Sequence, residues 1–190
     1  MSNVKQVRLI GFGGQGVVLA GTILAHSAIK DGRWVAGSSA YGAQARGGTA
    51  RYDVIVAEDP IKFPHMISTD ILIAFSQKAY EESLGQLSKE NARIIYDDLL
   101  VKPETLPGVA QTGVPATDRA IKDLNNKQAA NMVMLAAAAV LTGLTSQSSL
   151  VKALEENSAP RFLEINRKAL ALGQEIGLNL NKLERVHPWP

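Results

Sequence analysis

The sequence predicts an α/β fold: a three-layer sandwich with a mostly parallel, Rossmann-like sheet and a C-terminal helical cap. Apolar runs of strand length alternate with amphipathic runs of helical spacing over the first two-thirds of the chain. One strand run, residues 71–74, is apolar at every position, which is typical of a sheet covered on both faces. From Thr145 onward only helical spacing remains, which indicates the cap.

The predicted elements follow from these runs. Strands are expected at residues 4–11, 34–39, 50–57, 70–74, 92–96 and 109–112, and helices at 16–30, 77–84, 117–124 and 128–141. Pro160 is placed to start the last helix in its first turn, where the missing N–H is tolerated. Arg51 and Asp53 alternate with apolar residues, so their strand is expected to have one wetter face, near an edge or a ligand.

Composition limits the classes of function. The chain of 190 residues fits one domain, 1–190, with a formal net charge of +2 and no cysteine. Because this small charge is scattered, no nucleic-acid partner is expected. The longest apolar segment, 129–144, is shorter than a bilayer span and is predicted to form a buried helix. With no cleavable signal pattern before the first strand, a cytoplasmic location without membrane contact is expected.

The most informative motif is the glycine-rich stretch between the first strand and the first helix, Gly11-Phe12-Gly13-Gly14-Gln15-Gly16. Glycines have no Cβ atom to hold a ligand away from the backbone, and the first N–H groups of a helix have no intrahelical acceptor. The turn is therefore predicted to bind an anion such as phosphate or pyrophosphate. A second interpretation is that the glycines only allow the helix to pack closely on the strand.

The spacing of Gly11, Gly13 and Gly16 also fits the dinucleotide fingerprint, which expects an acidic residue about 20 positions later to hold a ribose. No Asp or Glu lies between Asp31 and Asp53. That window contains three arginines: Arg33, Arg46 and Arg51. Hydroxyls, glycines and arginines without a carboxylate disfavour NAD and suit a ligand that carries an additional phosphate.

A second candidate loop covers residues 39–49, where the second strand is expected to end beside the glycine turn. Arg46 would supply a fork of N–H donors, and the glycines that follow it would expose backbone N–H groups. Loops at the carboxyl ends of neighbouring strands could then hold one ligand. The alternative is a flexible connection in which Arg46 is a solvated charge. The candidate cofactor-binding residues of the two loops are Gly11, Gly13, Gly14, Gln15, Gly16, Ser39, Tyr41, Arg46, Gly47 and Gly48.

Taken together, the two loops resemble a known family. Gly-x-Gly-Gly-Gln-Gly after a first strand, followed by Ser-x-Tyr-Gly-x-x-x-Arg-Gly-Gly, is similar to the gamma subunit or gamma domain of 2-oxoacid:ferredoxin (or acceptor) oxidoreductases of the pyruvate, 2-oxoglutarate or 2-ketoisovalerate type. The resemblance covers nearly the whole chain. It includes Asp70 before an apolar strand, Asn131-Met132 at the start of the alanine-rich helix, and the stretch 162–169.

The resemblance implies a subunit, inactive alone, of an enzyme that oxidatively decarboxylates a 2-oxoacid to an acyl-CoA. The implied partners are alpha and beta subunits, with a ferredoxin-like delta subunit as a further candidate, and ferredoxin or another acceptor is reached through the complex. Thiamine diphosphate and iron–sulfur clusters are implied in the partner subunits, and coenzyme A as a contact of the glycine loops. Without cysteine, this chain cannot supply thiolate ligands to a cluster.

Other candidate chemistry is sparse. His26, His65 and His187 are scattered, so neither a metal site nor a catalytic residue is expected in this chain. Asp97 and Asp98 could bind a metal or act as a base, but successive side chains generally point apart, so a helix cap or a solvated turn is expected.

Two other functions stay open from the sequence. One is a freestanding NADP-dependent reductase, in which Arg46 or Arg33 would contact the 2′-phosphate. The other is a purely structural subunit whose glycine loops pack on partners and bind nothing themselves. The type of 2-oxoacid, which extends to indolepyruvate in related modules, is not readable from this chain.

Overall fold

The computed structural model describes residues 4–42, 48–88 and 92–186, with side chains up to residue 183. Within these ranges the strands are β1 (Lys5–Phe12), β2 (Trp34–Tyr41), β3 (Thr49–Ala57), β4 (Ile71–Ala74), β5 (Arg93–Asp97) and β6 (Ala110–Val114). The α-helices are α1 (Val17–Lys30), α2 (Gln77–Ser83), α3 (Ala116–Leu124), α4 (Ala130–Thr142), α5 (Gln147–Asn157) and α6 (Pro160–Val186). One-turn 3-10 helices, Leu84–Gln86 and Lys127–Ala129, follow α2 and precede α4.

The strands form one sheet in the order β2-β3-β1-β4-β5-β6. The pairs β1–β4, β4–β5 and β5–β6 are parallel, whereas β3 runs antiparallel to both β1 and β2. The predicted α/β class is therefore confirmed, with a parallel half and an antiparallel hairpin. The two candidate loops were expected to follow neighbouring strands, but β3 separates β2 from β1. One loop instead lies at the end of β1, and the other belongs to the hairpin of β2 and β3.

Most helices lie on one face of the sheet. Tyr52, Val54 and Val56 point from β3 towards α1, whose glycine allows a close approach: a Cβ atom on Gly21 would lie 2.3 Å from the Cγ atom of Tyr52. α4 is buried along nearly its whole length, as predicted for the alanine-rich segment. Among the described helices, none combines the length and the apolarity that a membrane crossing requires.

The C-terminal helices form the predicted cap. α5 packs on α1, and α6 packs along α4, where its glycines bring the two backbones together. A Cβ atom on Gly173 would lie 2.2 Å from the carbonyl oxygen of Val133. Pro160 is the first residue of α6, as the sequence predicts.

The opposite face of the sheet carries the third layer. α2 covers β1 and β4 there, and Tyr80 fills a second, smaller apolar cluster with Ile10 and Leu72. The three-layer arrangement is thus confirmed, although the second helical layer is much smaller than the first. Towards the start of β3 this face instead carries the charged side chains of Arg51 and Asp53.

Element boundaries agree with expectation to within about two residues. β2 extends two residues beyond its expected end, to Tyr41, because that residue still pairs with Ala50 of β3. Residues 39–41, expected to begin a loop, therefore belong to a strand.

Candidate functional site

The glycine turn lies at a topological switch point of the sheet. β1 continues into α1 on one face and the adjacent parallel β4 continues into α2 on the other, so the carboxyl ends of the two strands diverge. In open α/β sheets ligands bind in the crevice that this divergence creates. A cavity of about 350 Å³, here called the switch-point cavity, opens at this place. Its polar lining comes from Gly14, Gln15, Thr117, Lys127, Gln128 and Asn131.

Two of the turn glycines are required by packing. A Cβ atom on Gly11 would lie 2.8 Å from the Cβ atom of Phe75 on the neighbouring strand end. Gly16 has φ 71°, in the left-handed region, and a Cβ atom there would lie 2.0 Å from Nδ2 of Asn131. The close-packing interpretation of the motif therefore holds for Gly11 and Gly16.

The other two glycines leave open space. Gly13 and Gly14 are exposed. A Cβ atom on Gly14 would meet nothing within 4 Å, and one on Gly13 would meet only the carbonyl oxygen of Gly48, at 3.6 Å. The backbone N–H groups of Gly14, Gly16 and residues 17–19 have no hydrogen-bond acceptor among the described residues. This part of the turn has the donors and the free space that an anion needs.

Gln15 holds the turn in place. Its side-chain Oε1 accepts a hydrogen bond from the N–H of Phe12 at 2.6 Å, and its Nε2 donates to the carbonyl oxygen of Phe75 at 2.8 Å. Both ends of the amide are thus used within the protein. Although Gln15 lines the switch-point cavity, its main contribution is to tie the end of β1 to the end of β4.

The hairpin between β2 and β3 reaches the glycine turn. The N–H of Gly13 donates a hydrogen bond to the carbonyl oxygen of Gly48 at 3.0 Å, so the expected meeting of the two loops is observed at this point. Tyr41 lies at the same end of the sheet and is 69% exposed. Ser39 pairs with Tyr52 on the α1 face and lines none of the cavities described here. Arg46 and Gly47 lie outside the described residues.

Charged side chains occupy the sheet face opposite α1. Arg8 donates from Nε and Nη2 to the two carboxylate oxygens of Asp53, at 2.8 and 2.9 Å, and both residues are buried. Arg51 lies beside them, with its Nε 3.4 Å from Asp53 Oδ2. The expected wetter face is therefore wrong for Asp53, because Arg8 of the neighbouring strand neutralises it out of contact with water.

Arg33 and Arg51, the two described arginines of the acid-free window, lie at opposite ends of the sheet. Arg51 pairs with Ile10 at the turn end of the sheet, whereas Arg33 lies before β2 at the opposite end, where its N–H donates to the carbonyl oxygen of Ala28. Arg33 therefore does not contribute to the glycine-turn site. The sequence window alone could not separate them because β2 and β3 run in opposite directions.

Lys127, Thr117 and Asn131 are site residues that the motifs of the sequence do not predict. Asn131 is buried at the start of α4, where Nδ2 donates to the carbonyl oxygen of Gly16 and Oδ1 accepts from the N–H of Met132. Lys127 lies on the one-turn helix that precedes α4, and it forms no ion pair with any described residue. These residues are more than 100 positions from the turn, and only the position of Asn131 before the alanine-rich helix gave a signal.

Asp97 acts as the expected helix cap. Its Oδ2 accepts hydrogen bonds from the backbone N–H and from the hydroxyl of Thr117, at 3.0 and 2.6 Å, at the start of α3. Burial raises the pKa of Asp97 above its usual value, and these hydrogen bonds oppose the increase. Burial also raises the pKa of Asp98, with the negative charges of Asp97 and Asp118 adding to the effect.

The fold and the turn together define a class: a Rossmann-like α/β chain with an exposed glycine turn at its switch point and no cysteine. Residues 6–176 match the pyruvate ferredoxin/flavodoxin oxidoreductase family. The chain belongs to this family, and the predicted resemblance is confirmed. This membership decides against a freestanding NADP-dependent reductase.

Individual relatives are of the gamma type. The chain is 36% identical over 179 residues to the 2-oxoglutarate synthase subunit KorC of Methanocaldococcus jannaschii, covering 93% of this chain and 95% of that one. It superposes on the gamma subunit of the keto/oxoacid ferredoxin oxidoreductase of Geobacter sulfurreducens with a TM-score of 0.81 and 33% identity, covering 94% of this chain and 98% of the other.

Longer relatives match this chain over one part of their own length. The ketoisovalerate oxidoreductase subunit VorA of Methanothermobacter marburgensis is 31% identical over 174 residues, which cover 90% of this chain but 36% of VorA. The 2-oxoglutarate:ferredoxin oxidoreductase of Magnetococcus marinus, solved with 2-oxoglutarate, coenzyme A and succinyl-CoA bound, has the same fold with a TM-score of 0.82 and 24% identity, over 93% of this chain and 31% of that chain.

Proposed function

We propose that this chain is the gamma subunit of a complex that oxidatively decarboxylates a 2-oxoacid to an acyl-CoA, and that its glycine turn binds a phosphate group of coenzyme A. The observation that carries the second part is the exposed backbone of Gly13 and Gly14. Gly14 lines the switch-point cavity, and the neighbouring Gly13 is hydrogen-bonded to the hairpin at Gly48. The gamma-type relatives and the family match support the first part.

Coenzyme A suits this site chemically. Its pyrophosphate and 3′-phosphate are anions that can accept several backbone hydrogen bonds at once. The helix dipole contributes only about 0.3–1 kcal/mol per charge, so affinity has to come from several N–H donors together with a cation. Lys127 lines the same cavity and supplies such a cation.

The partners supply the remaining chemistry in this proposal. Thiamine diphosphate would supply the chemistry of decarboxylation, and iron–sulfur clusters would transfer electrons to ferredoxin or another acceptor. These groups would be bound by the alpha and beta subunits or by a ferredoxin-like delta subunit. This chain has no cysteine to ligate a cluster. Its own part is to bind and orient coenzyme A. We also propose 2-oxoglutarate as the substrate, because four gamma-type relatives at 33–36% identity are 2-oxoglutarate synthase subunits.

The coenzyme A assignment is tested in the assembled complex with Gly13→Ala and Lys127→Gln. The added methyl group of Gly13→Ala makes only an ordinary contact inside the protein, so its effect reports on the ligand. We expect each change to raise the KM for coenzyme A about tenfold, equivalent to about 1.4 kcal/mol, with little change in the KM for the 2-oxoacid. Matched controls are Gly85→Ala, where a Cβ atom meets nothing within 4 Å, and Lys122→Gln on the exposed side of α3.

An unchanged KM for coenzyme A in both variants, with the complex intact, would overturn the assignment. Loss of assembly without a change in this KM would instead show that the turn packs on a partner and binds no ligand itself.

Arg46 remains a prediction from the sequence. If the hairpin adds its guanidinium to the same phosphate site, Arg46→Ala lowers acyl-CoA formation and leaves the fold unchanged. Unchanged turnover and coenzyme A affinity would remove Arg46 from the site. The cytoplasmic location likewise remains a prediction.

A further inference from the structure

We propose a second binding site on this chain, for a small oxyanion such as a carboxylate or phosphate group, in the cavity above Arg8 and Arg51. This cavity of about 250 Å³, here called the arginine cavity, lies on the sheet face opposite α1. It is lined by the end of β2, the start of β3 and the end of α2. The proposal uses different residues from the coenzyme A site and does not depend on it.

The floor of the cavity has more positive than negative charge. Arg8 and Arg51 share a single carboxylate, that of Asp53. Because Arg8 already holds both oxygens of Asp53, the charge of Arg51 is the one left without a full counter-charge. The Arg51 side chain is 40% exposed, so it is partly withdrawn from water and attracts an anion more strongly than the same charge on a fully open surface.

The acid at the rim does not neutralise this floor. Glu82 accepts a hydrogen bond from the hydroxyl of Thr49 at 3.0 Å and lies 3.7 Å from the ammonium group of Lys78. Its charge is therefore already balanced by Lys78. Counting these groups together, the cavity and its rim carry one net positive charge from Arg8, Arg51, Lys78, Asp53 and Glu82.

Arg51 has donors available for a ligand. Its Nε lies 3.4 Å from Oδ2 of Asp53, and its two terminal nitrogens form no hydrogen bond with any described residue. The side chain is 40% exposed and lines the cavity, so these N–H groups are accessible from it. A guanidinium with two free terminal nitrogens matches the paired oxygens of a carboxylate or phosphate.

Arg8 in turn fixes the position of this group. Its Nε and Nη2 hold both oxygens of Asp53, and its Nη1 donates to Oε1 of Gln86. The carboxylate that orients Arg51 is therefore itself held on both oxygens. A preorganised donor loses less freedom when the ligand binds than a mobile surface arginine does.

The test is a titration of the isotope-labelled full chain, followed by NMR of backbone and arginine Nε–H signals. The probes are inorganic phosphate and succinate, each added at constant ionic strength against sodium chloride. We expect saturable shifts at Arg51, Arg8 and Thr49 with at least one probe, and at least tenfold weaker binding for Arg51→Gln. Arg51→Lys, which retains the charge but loses the fork, is expected to bind between the two.

Arg33→Gln is the matched control, because it also removes one arginine charge but lies at the other end of the sheet. Its affinity for the probe is expected to stay within twofold of the unmodified chain. Thermal unfolding of each variant confirms that Arg51→Gln has not lost its fold. Shifts no different from those with chloride, or equal affinities of Arg51→Gln and Arg33→Gln, would overturn the proposal. The stronger of the two probes identifies the oxyanion class.

Discussion

The N–H of Gly13 donates a hydrogen bond to the carbonyl oxygen of Gly48 at 3.0 Å and so joins two loops that are 35 positions apart. One loop follows β1 and the other belongs to the antiparallel hairpin. This bond brings the hairpin to the switch point of the sheet, although β3 separates β2 from β1. The glycine turn and the hairpin are therefore joined at the carboxyl end of β1.

The contact between Gly16 and Asn131 predicts a specific loss of stability. Gly16→Ala has to adopt a positive φ and also displace the Asn131 amide. Gly32→Ala is the control, because Gly32 has φ 79° but open space around its Cβ position. The control should lose about 1–2 kcal/mol of unfolding free energy from backbone strain alone. Gly16→Ala should lose at least about 1 kcal/mol more, measured by urea denaturation. Equal losses would contradict the packing role of Gly16.

The close packing of α6 on α4 predicts that a favourable helix residue will destabilise the protein. Alanine has a higher helix propensity than glycine by about 1 kcal/mol. In Gly173→Ala the new methyl group would nevertheless lie 2.2 Å from a backbone oxygen of α4, so the helices have to separate. We expect a net loss of about 2 kcal/mol by chemical denaturation, against a change within about 0.5 kcal/mol for Gly85→Ala. A stabilised Gly173→Ala would show that this helix pair is loosely packed.

The buried pair of Arg8 and Asp53 predicts an asymmetry between single and double variants. Asp53→Asn leaves the guanidinium of Arg8 buried with an uncharged partner and should cost about 3–5 kcal/mol of unfolding free energy. The double variant Arg8→Met/Asp53→Leu removes both charges and should recover most of this loss. As a control, Asp118→Asn breaks an exposed pair with Lys122 and should cost less than about 1 kcal/mol. A double variant no more stable than Asp53→Asn would argue against this account.

Asp31 predicts a pH dependence of stability. Its carboxylate, after α1, accepts hydrogen bonds from Thr145, Ser146 and Ser149 at the start of α5. Burial acts to raise the pKa of Asp31, but these hydrogen bonds together outweigh it and lower the pKa from 3.8 to about 2. The stabilisation is therefore complete above pH 4 and is lost as the pH falls from about 4 to about 2.

The measurement is the unfolding free energy of the unmodified chain and of Asp31→Asn between pH 7 and pH 2. Because Asp31 is largely exposed, we expect a difference of only about 1 kcal/mol at pH 7, which disappears towards pH 2. Asp59→Asn removes an exposed carboxylate without these hydrogen bonds and serves as the control. A constant difference between Asp31→Asn and the unmodified chain at every pH would contradict the role of the charge.

Local patterns in the sequence were sufficient for much of the fold. The four apolar residues of β4 are all buried, and Pro160 begins α6. The hairpin was less accessible, because Ser39 and Tyr41 precede a glycine-rich segment that is typical of a loop, and only their pairing with β3 shows that β2 continues. The order of strands in a sheet depends on contacts between residues that are far apart in the sequence, and local periodicity contains no information about such contacts.

The candidate site was predictable in part for the same reason. The turn glycines lie close together in the sequence, so a turn with accessible backbone could be predicted from them. Gly11 and Gly16 differ from Gly13 and Gly14, however, only through the residues that pack against them. Asn131 lies 115 positions from Gly16. Likewise, Arg8 is 45 positions from Asp53, so a buried ion pair was interpreted as a wetter strand face.

The central claim, that this chain is the gamma subunit of a 2-oxoacid oxidoreductase complex, is tested most directly by gentle isolation of the tagged chain from its native host. We expect stoichiometric recovery with alpha- and beta-type polypeptides, together with thiamine diphosphate and iron, and 2-oxoglutarate-dependent formation of an acyl-CoA by the isolated complex. Recovery of the chain alone, or with NADP bound and without thiamine diphosphate and iron, would contradict the claim.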